Sequence, residues 1–169
     1  GPVRSCLYKR NISRIGRRLR AFVLGNQKTG STVIAASLAE MSGCSVLLDS
    51  RRSIRYPQWK VHLSQGIGSF DQHLYRCRRE YDVDIVKEPG LTFFYRELLA
   101  RFPEARFVIV VRHPLDNVRS ILNRLEVPGD LDDLVMKQYP KLANSAAWQI
   151  NLDGSWLGLA TEHYIEVLA

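Results

Sequence analysis

Gly25-Asn-Gln-Lys28-Thr-Gly30-Ser31-Thr32, directly behind the apolar run Ala21-Phe-Val-Leu24, is the stretch on which the fold turns. A short apolar run closed by glycine reads as a buried strand. The segment from Ser31 to Met41 behind it reads as a helix with Val33, Ile34, Leu38 and Met41 as its inward stripe and Gly43 as its stop. A strand, a glycine-bounded turn and a helix in that order offer backbone N–H groups and a helix N-terminus to an anion. The Walker loop, Gly-x-x-x-x-Gly-Lys-Ser/Thr, has the same glycine spacing but places its lysine after the second glycine. Here Ser31 takes that place and the only lysine, Lys28, lies inside the loop. The stretch keeps an anion cradle and lacks the arrangement that serves a magnesium-bound nucleoside triphosphate.

The same alternation runs down the chain. Ser45-Val-Leu-Leu48 predicts a second strand with Asp49 at its C-terminal end, and Val83 to Val86 a third that delivers Lys87-Glu88-Pro89. Arg106-Phe-Val-Ile-Val-Val111 predicts a fourth, ending at Arg112. Between them Ser69-x-x-Gln72 has the form of a capping box, opening a helix with Phe70, His73, Leu74 and Cys77 on one stripe. Thr92 is placed to cap a helix from Phe93 to Phe102 that Pro103 ends. Pro114 suits the first turn of a helix whose inward stripe is Val118, Ile121, Leu122 and Leu125, broken by Val127-Pro-Gly-Asp130. Asn144 to Ala169 reads as a long helix with Trp148, Leu152, Leu159 and Leu168 toward a core. Ser50 to Gly68 is irregular, basic and aromatic, and predicts a loop or short helices over the strand ends. Strands alternating with helices predict an α/β fold: a P-loop NTPase-like parallel sheet of about four strands, flanked by helices on both faces.

The 169 residues make one domain's worth of chain, of which 46% are hydrophobic, enough to bury roughly 70% of the unfolded surface. Residues 1–20 form a basic arm, rich in arginine and lysine from Arg4 to Arg20, and 21–169 form the α/β domain. A formal net charge of +7 favours an anionic partner without choosing between a nucleotide and a polyanion. Cys6, Cys44 and Cys77 are odd in number and lack metal-ligand spacing, so reduced thiols are expected. No stretch approaches the roughly 20 apolar residues that cross a bilayer, and no secretory signal is evident. A cytoplasmic location is expected for the chain as given, although Gly1-Pro2 has the look of a protease-cleavage scar, so a native N-terminal anchor could have been removed.

Ligands of open parallel sheets bind beyond the carboxyl ends of the strands. Lys28, Asp49, Lys87 and Arg112 each fall just past such an end, and Ser120 follows Arg112 by eight positions, on the next helix. On these residues the chain resembles the sulfotransferases that use 3′-phosphoadenosine 5′-phosphosulfate (PAPS), closest in layout to the tyrosylprotein type and related bacterial enzymes. Lys28-Thr29-Gly30-Ser31-Thr32 is similar, position by position, to their Lys/Arg-Ser-Gly-Thr-Thr loop, which takes the 5′-phosphosulfate. Arg112 and Ser120 have the spacing of their second motif, which grips the 3′-phosphate. Val86-Lys-Glu-Pro89 resembles their Lys-Asp-Pro strand end.

The resemblance implies metal-independent transfer of a sulfuryl group from PAPS to a hydroxyl or amine, with 3′-phosphoadenosine 5′-phosphate (PAP) as product. Gly25, Gln27, Lys28, Thr29, Gly30, Ser31, Thr32, Arg112 and Ser120 would hold the nucleotide, and Lys28, Lys87 and Asp49 would carry the chemistry. Asp49-Ser50-Arg51 stands where the family has Glu-Thr-Arg, making Asp49 the first candidate for the base. His62, in Lys60-Val-His62-Leu, is the second and Glu88 the third. His73 and His163 read as packing or solvent residues. The acceptor is a small molecule, saccharide or peptide; no nucleic acid is expected as partner and no membrane segment is seen. The family continues past the long helix into a further strand and a basic glycine-rich loop, so the chain, which stops at Ala169, is expected to be C-terminally incomplete. Two other functions fit parts of the pattern. A P-loop kinase or NTPase fits the Gly25-to-Gly30 spacing, and a non-catalytic polyanion or nucleic-acid binder fits the Arg4 to Arg20 arm and the Arg51 to Lys60 segment.

Overall fold

The computed structural model describes residues 21–124. The basic arm, the turn at Val127 and the helix expected from Asn144 lie outside the described residues, as does Leu125. Four strands, β1 (Ala21–Leu24), β2 (Val46–Leu48), β3 (Ile85–Lys87) and β4 (Arg106–Ile109), form one sheet in the order β2-β3-β1-β4. Every neighbouring pair is parallel, so the chain adopts the expected P-loop-like α/β architecture. Among the described residues six α-helices accompany them: α1 (Ser31–Ser42), α2 (Arg51–Arg55), α3 (Trp59–Ser64), α4 (Phe70–Cys77), α5 (Tyr95–Arg101) and α6 (Pro114–Arg124). Among the described residues no helix is long and apolar enough to cross a membrane.

The central strand explains the layering. Successive side chains on a strand point to opposite faces, and β1 is buried on both. Phe22 and Leu24 enter a core with Leu74, Tyr81, Leu91, Leu98 and Phe102, whereas Val23 enters another with Ala35, Ala39 and Ile85. A two-sided apolar strand of this kind is what a parallel sheet between helices requires. Full burial of a side chain such as Phe22 or Leu24 contributes about 1.5–3 kcal/mol.

Four expectations are corrected. Of the stripe Val33, Ile34, Leu38 and Met41, Leu38 packs partly buried against the core as expected, but the other three do not face inward: Val33 is 67% and Met41 86% exposed, and Ile34 is exposed as well. Helix α1 packs through Ser31, Ala35 and Ala39 instead. Residues four apart share a helix face, and small ones let the helix lie close on the sheet, so Val33, Ile34 and Met41 are left on the far side. Gly43 does stop the helix, in the left-handed conformation at φ 65°. In α6 it is Asn117 that is buried, while Val118 is 52% exposed. Strand β3 begins later than expected and includes Lys87, which aligns with Val23 of β1 and Leu48 of β2. Thr92 caps no α-helix. It lies in a 3-10 turn, Pro89–Phe94, that precedes α5, and its hydroxyl is drawn to the Gly25 loop. The capping box at Ser69 and Gln72 forms as expected, with His73, Leu74 and Cys77 buried behind it.

Candidate functional site

The Gly25–Thr32 loop is fixed largely by hydrogen bonds between its backbone groups and side chains, its own and those of neighbouring elements. Gly25 has φ 148°, and a Cβ there would lie 2.6 Å from the Val110 carbonyl oxygen, so only glycine suits the close crossing of β4. Its N–H donates to Thr92 Oγ1 at 3.0 Å, and the Thr92 hydroxyl donates to the Gly25 carbonyl at 3.3 Å. Thr29 Oγ1 donates to the Asn26 carbonyl at 2.8 Å, while Asn26 Oδ1 accepts from the Gln27 N–H at 2.7 Å. Asn117 reaches in from α6, donating to the Gln27 carbonyl at 2.7 Å and accepting from Asn26 Nδ2 at 3.3 Å. The loop then turns through two left-handed residues, Lys28 at φ 64° and Gly30 at φ 94°. For lysine that conformation costs on the order of 1 kcal/mol, a strain characteristic of ligand-binding loops. Gly30 precedes α1 without a side-chain cap, leaving the first N–H groups of the helix to a ligand.

The two cationic turns meet here. Arg112 Nη1 donates to the Lys28 carbonyl at 2.9 Å. Gln27, Lys28, Gly30, Ser31, Thr32, Arg112 and Ser120 line one crevice of about 590 Å³, and so do Asp49, Lys87 and Glu88 from the neighbouring strand ends. Every residue expected to hold the nucleotide or carry the chemistry lies on its wall except Gly25, Thr29 and the alternative base His62. Gly25 and Thr29 line an adjoining hollow with Thr92 and Asn117, where they shape the loop.

The other end of the crevice is held by side chains. Lys87 is 5% exposed, and its Nζ donates to both oxygens of Asp49, at 2.8 and 3.0 Å. Asp49 is left-handed at φ 68°, a conformation that aspartate tolerates better than longer side chains. Glu88, also buried, accepts from the Ser50 N–H at 2.9 Å and from the backbone of Gly90. Burial pushes its carboxyl above the ordinary range, and these hydrogen bonds oppose the shift. Glu88 thus ties the segment after β2 to the segment after β3. Of the three candidate bases, His62 is not in the crevice: it lines a separate hollow with Arg52, His73 and Arg76.

Three residues that sequence reasoning did not assign to the site contribute to it. Lys60, 8% exposed, lines the crevice from α3, with Nζ 5.9 Å from the centre of the Phe93 ring. Burial lowers its pKa and the charge of Glu88 opposes that. Asn26 and Asn117 brace the loop, and no local pattern marks either of them. The assembled donors, a lysine and an arginine with hydroxyls and uncapped helix N–H groups on one crevice, can hold an anionic ligand. Comparison with protein-family models and with curated proteins finds no match to the chain.

Proposed function

We propose that this chain binds PAPS and transfers its sulfuryl group to a hydroxyl or amine acceptor by in-line displacement without a metal ion. The observation that carries the reading is the junction of the two cationic turns, with Arg112 bonded to the Lys28 carbonyl at 2.9 Å and both residues on one crevice with Ser120. A nucleotide with a phosphosulfate at one end and a 3′-phosphate at the other suits this donor set. Lys28, Ser31, Thr32 and the open N–H groups of α1 would face the first group, and Arg112 and Ser120 the second.

In this reading Asp49 accepts the proton of the acceptor as its oxygen or nitrogen bonds to sulfur. The bond from sulfur to the bridging phosphate oxygen breaks, and its electron pair stays on that oxygen, giving PAP. Lys28 neutralises the charge that develops there, which is the largest contribution expected from such a site. Lys87 has two partners in Asp49. A carboxylate retains further lone pairs and an ammonium a third proton, so the pair orients the base and still faces the reacting group.

Calorimetric titration with PAP, on the wild-type chain and on Lys28→Ala and Arg112→Ala, tests the reading. Each variant should lose roughly tenfold or more in affinity, since each removes a charge-assisted contact to phosphate, with an unchanged circular dichroism spectrum. Undiminished PAP binding in both variants, or equal affinity for PAP and ATP, overturns it.

A further inference from the structure

Beside the crevice lies a second hollow of about 360 Å³. Arg52 of α2, His62 of α3 and Arg76 of α4 stand around it with Tyr56, and Ser53 and Trp59 line both hollows, so the two spaces share a wall. Among the described residues no carboxylate lines it. Neither guanidinium pairs with a carboxylate among the described residues. His73 lines the same hollow, buried and stacked on Trp59 at 4.0 Å between ring centres. Burial, with Arg76 and then Arg52 adding to it, lowers the His73 pKa to about 4, so the imidazole is neutral at ordinary pH. The two arginines therefore line the hollow from separate helices, beside an uncharged ring.

We propose that the acceptor is an acidic saccharide, with an anionic group held by Arg52 and Arg76 while a hydroxyl of the adjoining sugar passes Ser53 and Trp59 to reach Asp49. The inference rests on the sulfuryl-transfer reading of the crevice. Two guanidiniums are suited to a carboxylate or sulfate. Tyr56 is 54% exposed, and the Arg52 guanidinium lies 5.7 Å from its ring centre, which sets an apolar plane beside the charge as a pyranose ring requires. The walls are side chains of three helices and the turn that joins two of them. They offer no strand edge of the kind that binds an extended peptide through its backbone.

The test is calorimetry on the whole chain with a uronic-acid tetrasaccharide and its carboxyl-reduced counterpart. It compares the wild type, the double variant Arg52→Ala/Arg76→Ala, and Arg79→Ala, an exposed arginine that does not line the hollow. The acidic tetrasaccharide should bind the wild type roughly tenfold more tightly than the reduced one, given the modest strength of exposed ion pairs. The double variant should lose roughly that tenfold, Arg79→Ala less than about twofold, and PAP affinity should be the same in all three. Equal binding of the acidic and reduced sugars, or an equal loss in Arg79→Ala, overturns the proposal, as does tighter binding of an acidic tyrosyl peptide than of the tetrasaccharide. Wild-type protein that binds the acidic sugar selectively but not PAP refutes the donor reading and leaves the groove assignment standing.

Discussion

The loop from Gly25 to Thr32 and the pair formed by Asp49 and Lys87 occupy the ends of strands in the same sheet, yet they are held in place differently. The loop is fixed by main-chain carbonyls and N–H groups, some met by Thr92, Asn117 and Arg112. The pair is fixed by an ammonium and a carboxylate, with Glu88 clamping the next residue, Ser50. A cradle of backbone N–H groups tolerates changes in most of the side chains it carries, because every residue but proline supplies the same donor. In this ion pair the lysine is buried and the aspartate half-buried, so removing Asp49 strands the Lys87 ammonium. If the proposed function holds, nucleotide binding and sulfuryl transfer should therefore respond differently to substitution.

Lys87→Ala puts the strongest pressure on that contrast. On the proposed reading, sulfuryl transfer from PAPS to the tetrasaccharide should fall by roughly 10²-fold or more, since the base Asp49 loses the partner that orients it. PAP affinity, measured by calorimetry, should fall by less than about tenfold. If PAP affinity falls as far as turnover, binding and chemistry are not divided between the two ends.

The acid response comes next. The neutral form of His73 is favoured in the fold, because its pKa drops from 6.5 to about 4. Its contribution is complete above pH 6.5 and is lost as the pH falls through about 4, up to a ceiling on the order of 3 kcal/mol. Urea unfolding at pH 7.5 and pH 4.5 should show a lower midpoint in acid, and His73→Phe, which can keep the stack on Trp59, should flatten the difference. An unchanged wild-type midpoint would remove His73 from the account.

The smallest effect sharpens the comparison from the loop side. Thr92→Val removes the hydroxyl that meets both backbone groups of Gly25. The cost should be about 1 kcal/mol, read as a drop of a few degrees in the thermal midpoint, together with weaker PAP binding. Weaker PAP binding without any change in the midpoint would mean that Thr92 acts on the ligand and not on the loop.

What the sequence made legible follows the same division. The four strands, their α/β order, the glycine-bounded turn and the capping box at Ser69 are local patterns, and all are present in the structure. Helix α1 misled because two stripes compete at helical spacing. Hydrophobicity selects Val33, Ile34, Leu38 and Met41, but the distance to the sheet selects Ser31, Ala35 and Ala39. Thr92 misled because a threonine ahead of a helical run matches a cap locally, while its real partner lies 67 residues away. Lys60, Asn26 and Asn117 could not be assigned at all, since tertiary packing alone gives them their roles. The separation of His62 from the crevice is likewise set by where α3 comes to rest.

The small-residue face of α1 also limits where this protein can vary. Enlarging Ala35, which has no exposed surface, would act as a wedge between helix and sheet and lift the amino end of the helix away from Lys28. A library that left every crevice residue untouched but placed leucine at position 35 would select against itself, through the aim of a helix and not through any lost contact.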